Sequence, residues 1–174
     1  MQYPTLVRST ILVLLTTACA SARREPVPAR RASTEMNVYR AEAIHVSILV
    51  PAQEVYDFLM DVNNWKSWAP WVRAVTSHSG RDWTLDTDTG PMQLRFEEPN
   101  SLGVLDHTVT LASGVRIYNA MRVVANGSGS ELVMVVYQTP PATAEQFAQD
   151  IQAVRDDFAR IKQVVEPTRR QAAR

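Results

Sequence analysis

Cys19 is the only cysteine, and three scattered histidines complete the set of strong transition-metal ligands in a chain of 174 residues. One cysteine excludes a disulfide framework, and these histidines make no metal-site spacing, so neither a metal nor a cofactor is expected. Glycine is scarce too, at six residues. None of the six forms a phosphate-cradling loop after a strand, and no serine sits in a nucleophile elbow. Net charge of either sign is missing from the whole but not from its parts. Residues 38–166 carry ten Lys/Arg against sixteen Asp/Glu, a balance of −6, while the flanks hold the other eight arginines with Glu25 and Glu35. An acidic middle excludes a nucleic-acid surface on the domain itself. Basic flanks suit an anionic membrane.

The N-terminus reads as a secretory signal, residues 1–19. Arg8 and the amino group form the positive region, Ile11–Leu15 the apolar region, and Thr16, Thr17, Ala18, Cys19 and Ala20 the small residues that follow. That apolar region is too short to span a bilayer. Two cleavages compete. Ala18-Cys19-Ala20 suits ordinary signal peptidase, which would leave a soluble periplasmic protein. Leu15-Thr16-Thr17-Ala18-Cys19 resembles a bacterial lipobox, departing from it at Thr16, and would leave Cys19 as a lipidated first residue. A lone cysteine placed just past the apolar region favours the second. The expectation is a lipid-anchored, periplasm-facing protein of the bacterial cell envelope. Residues 20–37, with two prolines, four arginines and no apolar period, read as a disordered tether. Residues 167–174 read as a disordered basic tail, which leaves one domain over 38–166.

Within that domain the strongest pattern comes last. Phe147, Ile151, Val154, Phe158, Ile161 and Val165 recur at gaps of four and three, the stripe of an amphipathic helix over Pro141–Glu166. Thr143 and Gln146 read as its capping box. A helix of about 24 residues spans roughly 36 Å, enough to cross a small domain. Upstream, Val38–Val50 alternates as a strand with Ile44, Val46, Ile48 and Val50 on one face. A helix from Pro51 to about Asp61 buries Val55, Phe58 and Leu59, and a short helical turn holds Trp65, Trp68 and Trp71. Six period-two strands follow: 71–77, 82–87, 92–98, 102–111, 115–124 and 131–139, separated by Gly, Pro and Asn turns. Short turns mean antiparallel neighbours. A seven-stranded curved sheet cannot cover its own concave face, so the terminal helix is expected to close it.

This order resembles the helix-grip superfamily known as SRPBCC, which includes START lipid-transfer domains, polyketide cyclases and the birch-pollen allergen. The stretches that carry the likeness are Ile48-Leu49-Val50-Pro51-Ala52-Gln53-Glu54-Val55-Tyr56-Asp57-Phe58-Leu59, the Asn63–Trp71 segment, Gly129–Val133, and Gln138–Pro141 leading into the last helix. Gly103–His107 and Asn119–Val123 resemble a small bacterial subgroup of unassigned activity. The likeness spans about residues 40–166. It implies an α+β fold whose sheet and C-terminal helix hold a small hydrophobic ligand, with no metal and no universal catalytic residue.

Which polar groups face such a cavity is the chemical question. His107 shares a strand face with Leu105, Val109 and Leu111, and Asn119 shares one with Val115, Ile117, Met121 and Val123. The pair can orient a ligand, or His107 can serve as a general base, or the two can satisfy each other inside the core. Asp106 and His107 are not a dyad, because successive strand residues face opposite ways. Trp65, Trp68 and Trp71 suit either a cavity mouth or a staple between turn and sheet. Tyr137 shares a face with Val133 and Val135, and Phe147 and Phe158 come from the helix stripe. The candidate ligand contacts are therefore Trp68, Trp71, His107, Asn119, Met121, Tyr137, Phe147 and Phe158. The expected function is an envelope-tethered binder of a small hydrophobic or lipid-like molecule. A polyketide cyclase or dehydratase using the same cavity, with His107 as acid/base, is the alternative, and an interaction module with a collapsed cavity is the third reading.

Overall fold

The computed structural model describes residues 38–172. The signal segment with Cys19, the whole of the tether, and the last two residues lie outside the described residues. In chain order the elements are β1 (Ala41–Ile48), α1 (Ala52–Met60), a 3₁₀ turn (Val62–Ser67), β2 (Val72–Ser79), β3 (Asp82–Thr87), β4 (Gly90–Phe96), β5 (His107–Leu111), β6 (Arg116–Asn126), β7 (Gly129–Tyr137) and α2 (Ala144–Ala172). The strands form one antiparallel sheet in the order β1-β7-β6-β5-β4-β3-β2. This is the seven-stranded helix-grip fold, with short helices after the first strand and one long helix at the end.

The core follows from the alternation. Ile44 and Ile48 of β1, Leu85 of β3, Leu94 and Phe96 of β4, Val109 of β5, Met121 and Val123 of β6 and Leu132 of β7 are buried, and between them stand residues of the outer face. Phe158, Ile161 and Val165 of α2 join the same cluster. The capping box of α2 is formed on both sides. The Thr143 N–H donates to Gln146 Oε1 at 2.8 Å, and the Gln146 N–H donates to Thr143 Oγ1 at 3.2 Å. Along β1 the helix is held by Arg155 on Glu42, by Lys162 Nζ donating to Ser47 O at 2.8 Å, and by the Leu49 N–H donating to Glu166 Oε1 at 3.0 Å.

Four local expectations change. The helix α2 continues to Ala172 through residues read as a tail. Pro167 lacks an N–H, but Arg169, Arg170, Gln171 and Ala172 are strong helix formers that carry the turn onward. In α1 the buried residues are Val55, Tyr56 and Leu59, with Phe58 half-buried. The Tyr56 hydroxyl reaches inward to accept the Asn100 N–H at 3.0 Å. The long strand expected from Leu102 begins at His107 instead. Asn100 gathers the preceding loop by accepting the N–H groups of Leu102 and Val104 and donating to the carbonyls of Glu98 and Val104. Gly103 turns there with φ +70°, and a Cβ on it would sit 2.0 Å from Val123 O, so only glycine fits. Lastly, Val115 and Ile117 stand 53% and 44% exposed, past the buried part of the inward face of β6.

Candidate functional site

His107 opens β5, and Asn119 stands directly across from it on β6. Both point to the concave side, so their meeting is a consequence of register. His107 Nδ1 lies 2.8 Å from Leu105 O, and Nε2 lies 3.2 Å from Asn119 Nδ2. A carbonyl can only accept and an amide nitrogen can only donate. The network therefore assigns the neutral ring with the proton on Nδ1 and the Nε2 lone pair occupied by Asn119. Burial pushes the imidazole below its ordinary pKa, against the smaller opposing pulls of the Leu105 carbonyl and Asp106. Both ring nitrogens are thus spent inside the wall, and neither offers a free lone pair to a substrate proton.

Asp106 points the other way, as its place in the strand requires. It accepts from Tyr118 Oη at 2.7 Å, Arg122 Nη2 at 3.1 Å and the Met121 N–H at 3.0 Å. That bond, with desolvation second, pushes the Tyr118 phenol up to about 12. This cluster belongs to the outer face and bolts β6 to the start of β5.

The tryptophans come from the 3₁₀ turn and the residues that leave it. Trp65 is buried, donates its indole N–H to Leu59 O at 2.9 Å, and meets Trp68 at 5.0 Å between ring centroids, Trp71 at 6.3 Å and His107 at 5.9 Å. Trp68 is also buried, and its indole N–H has no hydrogen-bond partner. Trp71 is half-buried. The two inner rings staple the turn to the sheet while also facing the cavity, so the two alternatives for these residues coincide.

From the helix side comes a residue absent from the sequence-based candidates. Asp157 follows Val154 by three and precedes Ile161 by four, which places it on the apolar stripe beside Phe158. Its carboxylate accepts Arg160 Nη1 at 2.7 Å and the Trp71 indole N–H. Burial nevertheless pushes its pKa up, ahead of those two opposing contacts. The spacing was the available signal, but the charge of Asp157 hid it among polar neighbours.

These groups line a half-open cavity of about 190 Å³ between sheet and α2. Trp65, Trp68, Trp71, Met92, His107, Val109, Asn119, Met121, Met134, Val154, Asp157, Phe158 and Ile161 line it. Larger hollows occur elsewhere, such as one of about 510 Å³ on the outer face of β3 to β5, but apart from Trp83 and Leu94 its lining residues are Asp, Thr, Gln and Arg. Of the expected contacts, Trp68, Trp71, His107, Asn119, Met121 and Phe158 are brought together. Tyr137 and Phe147 are not. Both faces of β7 are apolar, and Leu132 and Met134 take the inner one, which turns Val133, Val135 and Tyr137 outward and leaves Tyr137 42% exposed. Phe147 is 1% exposed but lies three turns before Phe158, under the Arg40 guanidinium at 5.2 Å, away from the cavity. Among the described residues no group of three or more His, Cys, Asp or Glu is placed to hold a metal ion.

A family model described as polyketide cyclase / dehydrase and lipid transport matches residues 48–170. No curated protein matches the chain by sequence. Among solved structures, the protein MLL2253 from Mesorhizobium loti is similar with a TM-score of 0.60 at 15% identity, over 74% of this chain and 98% of that one. DynU16, from the dynemicin biosynthetic locus, gives a TM-score of 0.60 at 15% identity over 72% of this chain and 47% of its own. The di-domain ARO/CYC BexL of the BE-7585A biosynthetic pathway gives 0.57 at 16%, over 73% and 46%. The chain thus spans about half the length of the latter two. At these identities the likeness is one of fold.

Proposed function

Because the chain belongs to the polyketide cyclase, dehydrase and lipid transport family, we propose that it binds a small hydrophobic molecule between its sheet and α2, from a tether anchored to the bacterial envelope through lipid on Cys19. Membership implies hydrophobic-ligand binding or a cyclase-like activity. The observation that carries binding is the cavity itself, walled by three tryptophans, three methionines, Val109, Val154, Phe158 and Ile161. Small-molecule sites are concave and mostly apolar, with a few polar groups to fix orientation. The anchor is supported by the lipobox-like residues before Cys19 and by the arginines that follow.

Two observations favour the competing readings. Asp157 is a titratable group in the cavity wall with its pKa pushed up, which is what acid/base chemistry by a cyclase or dehydratase would use. His107 suits that role less, since both its nitrogens are bonded. The small volume favours an interaction module with a collapsed cavity. Native mass spectrometry of protein purified from its own host separates these. A co-purifying apolar molecule released by solvent is the expected result. A bare protein that also fails to bind any small apolar molecule in an NMR titration would sink the binding proposal and leave the interaction module.

A further inference from the structure

The cavity is specific about size and about one polar contact. Drug-sized ligands occupy sites of roughly 300 Å³ or more, whereas an apolar cavity of about 150 Å³ takes a benzene ring. At about 190 Å³ the space here holds one ring with a substituent. Its walls favour a flat aromatic occupant. Trp65 and Trp71 present ring surfaces, and Met92, Met121 and Met134 present thioethers, which make favourable contacts with aromatic edges.

The polar contacts are few and differ in kind. Asp157 already takes two donors, from Arg160 and Trp71, but a carboxylate has about four lone-pair sites and accepts further. Across the space, one N–H of Asn119 Nδ2 is committed to His107, which leaves its second N–H and its carbonyl oxygen to offer. Asp157 therefore calls for a donor on the ligand, and Asn119 takes either a donor or an acceptor. Arg160 already neutralises Asp157, so a neutral donor suits the site better than a second cation. A hydroxyl is such a neutral donor, and it can also accept from the second N–H of Asn119.

We propose that the cavity selects a single-ring aromatic ligand carrying a hydroxyl group, a phenol, whose hydroxyl donates to the Asp157 carboxylate. The proposal rests on the ligand-binding reading above and adds the class of ligand to it. Toluene and phenol have nearly the same shape, and transfer from water by itself favours toluene, because a buried hydroxyl without a partner is costly. An NMR titration of the mature protein with phenol, toluene and 1-naphthol at neutral pH tests the idea. Phenol is expected to bind at least tenfold more tightly than toluene, and 1-naphthol at least tenfold more weakly than phenol. Asp157→Leu, which keeps the branched shape but removes the acceptors, is expected to bring phenol down to the level of toluene. Toluene binding as tightly as phenol overturns the proposal without any variant. Unchanged phenol affinity in Asp157→Leu overturns it too, and so does equal or tighter binding of 1-naphthol. If none of the three binds, the phenol assignment falls. A host-derived ligand found by mass spectrometry would then leave the binding reading standing, and its absence would remove both.

Discussion

At the scale of single residues, His107 shows how burial decides chemistry. An imidazole at its unperturbed pKa is the natural choice for a general base near neutrality. Here the ring is 5% exposed, with its pKa pushed below 6.5 by desolvation. The folded protein therefore resists a proton that the unfolded chain accepts. The sign follows directly: this stabilisation is present above about pH 6.5 and is lost as pH falls from there through the depressed folded-state value, with a slope of up to about 1.4 kcal/mol per pH unit. Urea midpoints are expected to drop between pH 7 and pH 5 in the wild type, and the drop should be smaller in His107→Gln. Identical pH profiles would contradict the buried neutral ring. Glutamine keeps one donor and one acceptor at similar volume, so His107→Gln should also hold phenol affinity within about threefold, or roughly 0.65 kcal/mol. A larger loss would mean that the ring itself contacts the ligand.

Among the elements, α2 combines the firmest pattern with the least expected residue. Its stripe could be read from the gaps between Phe147 and Val165, and its start from Thr143 and Gln146. Asp157 could not be read that way, because a carboxylate is sorted to the polar face unless its distance from Val154 and Ile161 is given more weight than its charge. Phe158 closes the cavity at 3% exposure. Phe158→Ala removes its contacts and enlarges the adjoining space, and is expected to cost about 3–5 kcal/mol in chemical denaturation, a large share of a total stability of roughly 5–15 kcal/mol. A loss under about 1 kcal/mol would show that α2 does not grip the sheet. On the opposite wall, β7 misleads for a different reason. With Val133, Val135 and Tyr137 on one face and Leu132, Met134 and Val136 on the other, alternation by itself does not choose which face is inner.

For the whole molecule, the uneven charge matters most. A domain of balance −6 between basic flanks meets an anionic surface by its flanks and not by its body. If Cys19 carries lipid, native protein should partition into the detergent phase, and Cys19→Ser should release it or block its maturation. Native protein recovered in the aqueous phase with Ser21 as its first residue would establish ordinary cleavage and withdraw the membrane from the proposal.

Periodicity is local, so the order of helices and strands, the antiparallel sheet and the helix that closes it could all be derived from residues within a few positions of one another. The cavity could not. His107 and Asn119 are twelve residues apart, and whether they act on a ligand or on each other depends on β5 and β6 pairing in a register that sets them directly opposite. Whether Asp157 faces water or the cavity depends on how far α2 rolls over the sheet, and that is settled by the packing of Phe158, Ile161 and Val165 together. The volume left between helix and sheet is the small remainder of all these side chains, a property that no single stretch of sequence contains.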